Sequence, residues 1–438
     1  MKRSLTNLET ATIGLTLFAL FFGAGNMIFP PYLGQEAGTN VWKAYLGFLV
    51  TGVGLPLLGI IAIGRAGDLQ TLAKRVSPIF GAVFTLILYM AIGPFFGIPR
   101  TGTVAYEMGL PPFLDENGTQ RLSLIIFTIG FFVLTAWLSM NPAKLVDRIG
   151  KVLTPILIAI IGMLILKAIV TPMGEPQDPK GNYLDNPIFA GFLEGYLTMD
   201  TLAALVFGIV VISAINERGV TDRQAVARIC LMAGVIAAVG LGLVYLSLAY
   251  IGASSIKAVG ALTNGGAILS ASANYLFGPI GTIILGAAIS FACLTTAVGL
   301  ISSVSKYLTK VSPKLSYKTS VIVLSVFSMI VANFGLTKLI SISVPVLVAL
   351  YPLAIVLISL SFFHDLFKGS SWVYKGALIP TGFISILDGL KAAGIEFSMI
   401  TGPMHFLPFY LEGIGWVFPA ITGAIVGYVF ASLKTDSR

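Results

Sequence analysis

Apolar runs long enough to cross a bilayer recur along this chain from residue 10 to residue 432, with short charged connections between them. Crossing about 30 Å of hydrocarbon as a helix takes roughly 20 mostly apolar residues. Inside the bilayer every backbone N–H and C=O must find a partner within the protein, so repeated runs of this length fold as an all-α integral membrane protein. Hydropathy predicts about twelve transmembrane helices, near residues 10–35, 41–63, 78–104, 121–138, 151–170, 188–215, 229–252, 275–302, 319–335, 339–361, 376–390 and 409–432. With 56% hydrophobic and only 11% charged residues, the chain reads as a single transmembrane domain over 1–438, with no soluble one. Its basic start and long first apolar run, without a small-residue cleavage pattern, read as a retained first helix.

The net charge of +8 does not point to nucleic acid, because the basic residues sit between spans rather than on one face. With the N-terminus inside, most of the 27 basic residues fall in inside segments, among them Lys2, Arg3, Lys144, Arg148, Lys151, Arg223, Lys310 and Arg438. Outside loops carry Glu107, Asp115, Glu116, Glu175, Asp178 and Asp185 instead. Alternation of this kind predicts cytoplasmic N- and C-termini. The Pro-, Gly- and acid-rich segment 171–187 reads as a connector between halves, and the small-residue segment 253–274 as either a hairpin dipping toward a pathway or a plain loop. The sequon Asn117-Gly118-Thr119 in an outside loop carries no weight, and Cys230 and Cys293, both in apolar runs, read as packing residues.

Two spans break the rules of a continuous membrane helix. The first contains Phe21-Phe22-Gly23-Ala24-Gly25-Asn26-Met27-Ile28-Phe29-Pro30-Pro31. In a helix interior Gly costs about 1 kcal/mol and Pro about 3 kcal/mol relative to Ala, so such a segment is either interrupted or a glycine packing face with a proline kink. The sixth contains Thr198, Met199, Asp200 and Thr201 just after Gly195, and a carboxylate at membrane depth is a functional hypothesis by default. If residues 8–170 (helices 1 to 5) and 188–361 (helices 6 to 10) are two copies of one unit, both interruptions fall in the first helix of a copy. Five being odd, the second copy is inverted, with two extra C-terminal helices at 376–432. Paired discontinuous helices in inverted repeats point to a solute site near the midplane of a secondary transporter. Free N–H groups at the breaks suit a carboxylate, and free carbonyls with hydroxyls suit an ammonium or a metal cation.

The eighth span adds Ala292, Thr295 and Thr296 on one helical face, an oxygen cluster suited to Na⁺, although a threonine also commonly bonds back to its own helix. The third span offers Tyr89 and the run Gly93-Pro94-Phe95-Phe96-Gly97-Ile98-Pro99-Arg100-Thr101. Arg100 is expected to snorkel to the outer surface. Phe22, Tyr89 and Met199 are expected to line an apolar side-chain pocket.

FFGAGNMIFPP, GPFFGIPRT and FLEGYLTMDTLAALVFG, in that order, resemble the bacterial branched-chain amino acid:cation symporter family, over about residues 8–432. The resemblance implies uptake of leucine, isoleucine and valine coupled to Na⁺, with H⁺ coupling or a broader neutral amino acid range as the alternative, across the cytoplasmic membrane of a bacterium. It also implies a leucine-transporter-like fold. Gly23-Ala24-Gly25-Asn26 is similar to that fold's first-helix break, and Ala292, Thr295 and Thr296 to its sodium site, which Ala19 and Phe22 would complete. The expected substrate residues are Phe22, Gly23, Ala24, Gly25, Asn26, Tyr89, Thr198, Met199, Asp200 and Thr201. An aspartate stands at 200 where the family's wider fold has a hydroxyl, so Asp200 is open to a cation, the substrate ammonium or a proton.

Other classes find little support. His364 and His405 sit singly without a ligand cluster, which argues against an enzyme, and no organic cofactor is implied. Neither a TVGYG filter run nor a GxxxxGK[ST] loop occurs, which argues against a potassium-type channel and an ATP-driven pump.

Overall fold

The computed structural model describes residues 5–110, 120–141 and 154–436, and no strand occurs among them. The charges of Lys2, Arg3, Asp115, Glu116, Lys144, Arg148, Lys151 and Arg438, the sequon Asn117–Thr119 and the start of the fifth predicted span lie outside the described residues. In chain order the main helices are α1 (Asn7–Phe21), α2 (Ala24–Ala37), α3 (Val41–Leu49), α4 (Leu55–Ala66), α5 (Leu69–Lys74), α6 (Pro78–Met90), α7 (Gly97–Gly109), α8 (Gln120–Ser139), α9 (Thr154–Val170), α10 (Pro187–Tyr196), α11 (Asp200–Glu217), α12 (Arg223–Val259), α13 (Gly265–Phe277), α14 (Pro279–Val311), α15 (Tyr317–Ala332), α16 (Leu336–Phe362), α17 (Ser371–Ala392) and α18 (Val417–Asp436).

Among the described residues, eight helical stretches are long and apolar enough to cross a membrane, the longest running through α2, α3 and α4 from Ala24 to Ala66. Three shorter apolar helices, Asn7–Phe21, Thr154–Val170 and Tyr317–Ala332, accompany them. α17, with Lys375, Asp388 and Lys391 along it, is not in either set.

Local chemistry sets the helix ends. A capping box starts α1: Thr6 Oγ1 accepts from Glu9 N at 3.2 Å and Glu9 Oε2 from Thr6 N at 2.8 Å. Asp68, Ser77, Asp222 and Asn264 cap α5, α6, α12 and α13 in the same sense. The second span is not uniform either. Between α3 and α4 a π-turn at Val50–Gly54 widens the helix, and it sits where Thr51 O accepts from Thr201 Oγ1 at 3.1 Å. Such a turn releases backbone groups that a neighbouring helix then uses.

The segment 253–274 is helical on both sides of a turn rather than a plain loop. Alanine and serine sustain α12 as far as Val259, Gly260 ends it at φ +78°, and a separate helix, α13, follows. α13 lies against α2 so closely that a Cβ at Gly265 would stand 1.8 Å from Ile28 O. The connector 171–187 is likewise bound to the bundle: Thr39 N donates to Gln177 O and Lys180 N to Glu36 O, each at 2.9 Å, at the end of α2. The last span starts later than hydropathy predicts, because residues 402–416 form 3-10 and turn structure before α18.

Lipid gives helices no hydrophobic reason to associate, so close packing at small residues carries the interface. α3 and α10 meet through a reciprocal glycine pair, a Cβ at Gly47 falling 1.9 Å from Ile188 O and one at Gly191 falling 1.8 Å from Ala44 O. Gly191→Val should therefore lower stability by about 3 kcal/mol, since the atom it meets is backbone. Gly130→Val, where nothing lies within 4 Å, should leave the thermal unfolding midpoint in detergent unchanged.

Candidate functional site

The first break lies between α1 and α2. Phe22 leaves helical geometry at ψ 84°, and Gly23 is extended at φ −129°, ψ −151°. Asn26 folds back to accept from Gly23 N through Oδ1 at 3.0 Å, which pairs one of the free amides at the start of α2. Both glycines are required by close approach. A Cβ at Gly23 would stand 2.5 Å from Thr296 Oγ1, and one at Gly25 would stand 2.6 Å from Arg100 Nη2 and 2.8 Å from Thr198 O.

The second break faces it. α10 stops at Tyr196 and α11 starts at Asp200, with Met199 between them in the left-handed region at φ 68°. Thr198 Oγ1 donates to Gly195 O at 2.9 Å and accepts from Asp200 N at 3.3 Å. The carbonyls left over at the end of α10 are taken by Arg100, whose Nη2 donates to Leu197 O at 2.8 Å and Thr198 O at 3.2 Å. Arg100 is 3% exposed and lies over the Phe29 ring at 5.3 Å, so the expectation that it snorkels outward is corrected. The physical reason is local. The third span is itself broken at Gly93 and Phe96, and the negative end of α10 attracts the cation into the protein.

Asp200, 2% exposed, is held by two donors that converge on Oδ2. Asn26 Nδ2 donates at 2.6 Å and Tyr245 Oη at 2.7 Å, while Asn26 Nδ2 also donates to Tyr245 Oη. Tyr245 on α12 was not among the residues expected from sequence. The available signal was a tyrosine deep in an apolar run, whose hydroxyl needs a buried partner. Hydrogen bonds to a charged group contribute about 1.5–3 kcal/mol each, comparable to the roughly 3 kcal/mol that an aspartate costs at membrane depth.

Beside the breaks lies an oxygen cluster between α14 and α1. Thr295 Oγ1 donates to Ala292 O at 2.8 Å and Ala19 O at 3.2 Å, and Thr296 Oγ1 to Leu20 O at 3.0 Å and Ala19 O at 3.5 Å. Ala19, Ala292, Thr295 and Thr296 are thus brought together as expected. Leu20 joins them, whereas Phe22 donates its amide to Phe18 O and stacks its ring on Phe18 at 5.3 Å. The Thr295 bond to Ala292 O runs back to its own helix, whereas the bonds to Ala19 O and Leu20 O join α14 to α1.

The two breaks, Arg100 and Thr296 border one narrow cleft, which leaves about 30 Å³ for the centres of water molecules. Gly23, Ala24, Gly25, Asn26, Thr198, Met199 and Asp200 line it, and Leu20, Phe21, Ile92, Ala203, Phe207 and Leu300 supply apolar wall. Three expected residues point elsewhere. Phe22 packs on Phe18, Tyr89 stacks on Tyr307 at 4.0 Å, and Thr201 bonds to the π-turn at Thr51. Phe21 and Phe207 take the place of Phe22 and Tyr89 as aromatic wall.

The model of the family described as branched-chain amino acid transport protein matches residues 6–434. The chain belongs to that family. In Bacillus subtilis (strain 168), the branched-chain amino acid permease BraB is 56% identical over 440 residues, covering 100% of this chain and 99% of the relative. The branched-chain amino acid permease BrnQ of the same strain is 52% identical, covering 97% of each. This member of the branched-chain amino acid transport protein family is a multi-pass membrane transport protein rather than an enzyme. Its fold is that of Mhp1, a nucleobase-cation-symport-1 family transporter, in a closed conformation with bromovinylhydantoin bound. The TM-score is 0.59 at 15% identity, with 96% of this chain and 91% of the other covered.

Within this family member the Asp200 network has a measurable energy. Tyr245→Phe should lower the unfolding free energy by about 1.5–3 kcal/mol, and by much less in an Asp200→Asn background. Equal losses in both backgrounds, measured by chemical unfolding in detergent, would separate Tyr245 from the carboxylate.

Proposed function

We propose that this chain is a Na⁺-coupled symporter that takes up leucine, isoleucine and valine across the cytoplasmic membrane of a bacterium, with both termini in the cytoplasm. The observation that carries the coupling is the oxygen cluster of Thr295 and Thr296 with the carbonyls of Ala19 and Leu20, next to the break at Gly23. A cation there bridges α14 to the unwound end of α1, so its binding free energy depends on how the break is set. The solute class is drawn from relatives named branched-chain amino acid permeases. The charge alternation of the loops supports the orientation.

The architecture in this proposal is a five-plus-five inverted repeat, residues 8–170 and 188–361, with two further helices over 376–432. Its support is that the two breaks, at the first helix of each repeat, abut through Gly25 and Thr198. The charged groups of the amino acid lie at the two breaks, and Met199, Phe21, Ala203 and Phe207 face its branched side chain. A second contact suits a closure on the cytoplasmic side: Lys310 Nζ meets Asp68 Oδ2 at 2.5 Å, joining the end of α14 to the turn before α5. H⁺ coupling is the second reading, favoured by Asp200, a carboxylate in the cleft wall.

Purified protein in liposomes should accumulate labelled leucine when Na⁺ is imposed outside. Leucine accumulation driven equally well by a proton gradient with choline in place of Na⁺ would move the coupling to Asp200. Thr296→Ala should raise the Na⁺ concentration for half-maximal uptake by about tenfold, the loss of one oxygen ligand at roughly 1.4 kcal/mol, while the order of preference among amino acids stays fixed.

A further inference from the structure

The cleft is bordered by two buried ionisable side chains of opposite sign that make no direct ion pair with each other. Arg100 and Asp200 both line it, and among the described residues neither forms an ion pair. A buried charge needs a partner, and removing one member of a buried pair is strongly unfavourable because the other is left uncompensated. Each is partly satisfied by the groups around it, and both border the cleft. Both recorded hydrogen bonds of Arg100 leave from Nη2, so Nη1 and Nε remain. The Asp200 carboxylate accepts from Asn26 Nδ2 and Tyr245 Oη at Oδ2, with the Thr198 hydroxyl beside it.

The surroundings hold the charges apart and in place. The carbonyl end of α10 favours the guanidinium, and the amide end of α11 favours the carboxylate. Phe29 backs the guanidinium at 5.3 Å, and Tyr245 with Asn26 backs the carboxylate. Gly25 has no side chain to fill the space between, where a Cβ would collide with Arg100 Nη2.

We propose that Arg100 and Asp200 are the two poles that recognise the solute as a zwitterion, Arg100 taking the α-carboxylate and Asp200 the α-ammonium. The inference rests on the reading of the solute as an amino acid and adds its polarity in the cleft. It also assigns Arg100 a specificity-determining part. A zwitterion pairs both buried charges at once, whereas a purely anionic or cationic analogue leaves one of them unpaired. A guanidinium moreover matches a carboxylate through two parallel N–H donors, which a single helix amide does not.

The test is competition against labelled leucine uptake in liposomes with an imposed Na⁺ gradient. Leucinamide keeps the ammonium and side chain but lacks the carboxylate, and 4-methylpentanoate keeps the carboxylate and side chain but lacks the ammonium. In the wild-type protein each should compete at least about 100-fold more weakly than leucine. In Arg100→Gln the apparent affinity for leucine should fall about 100-fold while that for leucinamide changes only a few-fold, so the discrimination collapses. Asp200→Asn should do the same for 4-methylpentanoate. A structural role for Arg100 as a cap on α10 predicts parallel losses for leucine and leucinamide instead, and that result would overturn the proposal. Arg100→Lys keeps the charge and should keep the preference for leucine over leucinamide. If every Arg100 variant elutes aggregated, the wild-type competition decides, since either analogue competing within about tenfold of leucine refutes the pairing. A wild-type protein that accumulates no branched-chain amino acid fails the transport reading and this one with it. Leucine uptake that tolerates loss of either charge fails the charge assignment alone.

Discussion

The structure depends on one requirement, that backbone polar groups inside a bilayer be paired within the protein. Two helices are opened near each other, and each opening leaves N–H and C=O groups that water would otherwise satisfy. Side chains complete them. Asn26 pairs the amide of Gly23, Thr198 pairs Gly195 O and the amide of Asp200, and Arg100 pairs the carbonyls of Leu197 and Thr198. The groups that line the cleft are therefore the groups that make the broken backbone tolerable. The shape of the cleft and the stability of the opened helices thus depend on the same side chains.

Small residues let these groups meet. Gly23 admits the Thr296 hydroxyl, Gly25 admits Arg100 and Thr198, and Gly195 admits Thr51 to a distance at which any Cβ would overlap. The π-turn at Val50–Gly54 belongs to the same arrangement, because it presents Thr51 to α10 through Phe192 O and to α11 through Thr201. The second span thereby touches both halves of the broken sixth. That contact fixes how the halves lie relative to one another.

Much of this was legible in the sequence, for physical reasons that differ by residue. The breaks were, because glycine and aspartate at membrane depth violate the preference of a continuous helix, whereas Pro30 and Pro31 sit within α2. The oxygen cluster was, because Ala292, Thr295 and Thr296 share a face by spacing alone. Arg100 was misread, because a long basic side chain near a span end ordinarily reaches for water, and its partners, the carbonyls of Leu197 and Thr198, come from a break almost one hundred positions away. Tyr245 was missed although a tyrosine deep in an apolar run signals a buried partner, because nothing in α12 identifies that partner as Asp200. Phe22 and Tyr89 were placed in the cleft by their aromatic character, but the direction of a side chain depends on where helix geometry ends. Phe22 sits at the turn itself, and Tyr89 lies before the third-span break and faces Tyr307. The segment 253–274 was ambiguous because small weakly apolar residues are compatible with helix, hairpin and loop, and only packing against α2 selects among them.

The two breaks differ in mechanical character. The first turns at Phe22 and Gly23, and a glycine backbone reaches a wide range of dihedral angles at little cost. The second turns on Met199, a residue with a β-carbon in the left-handed region, a conformation that costs roughly 1–2 kcal/mol and has few neighbouring alternatives. The joint between α1 and α2 thus has a backbone freedom that the Met199 joint between α10 and α11 lacks.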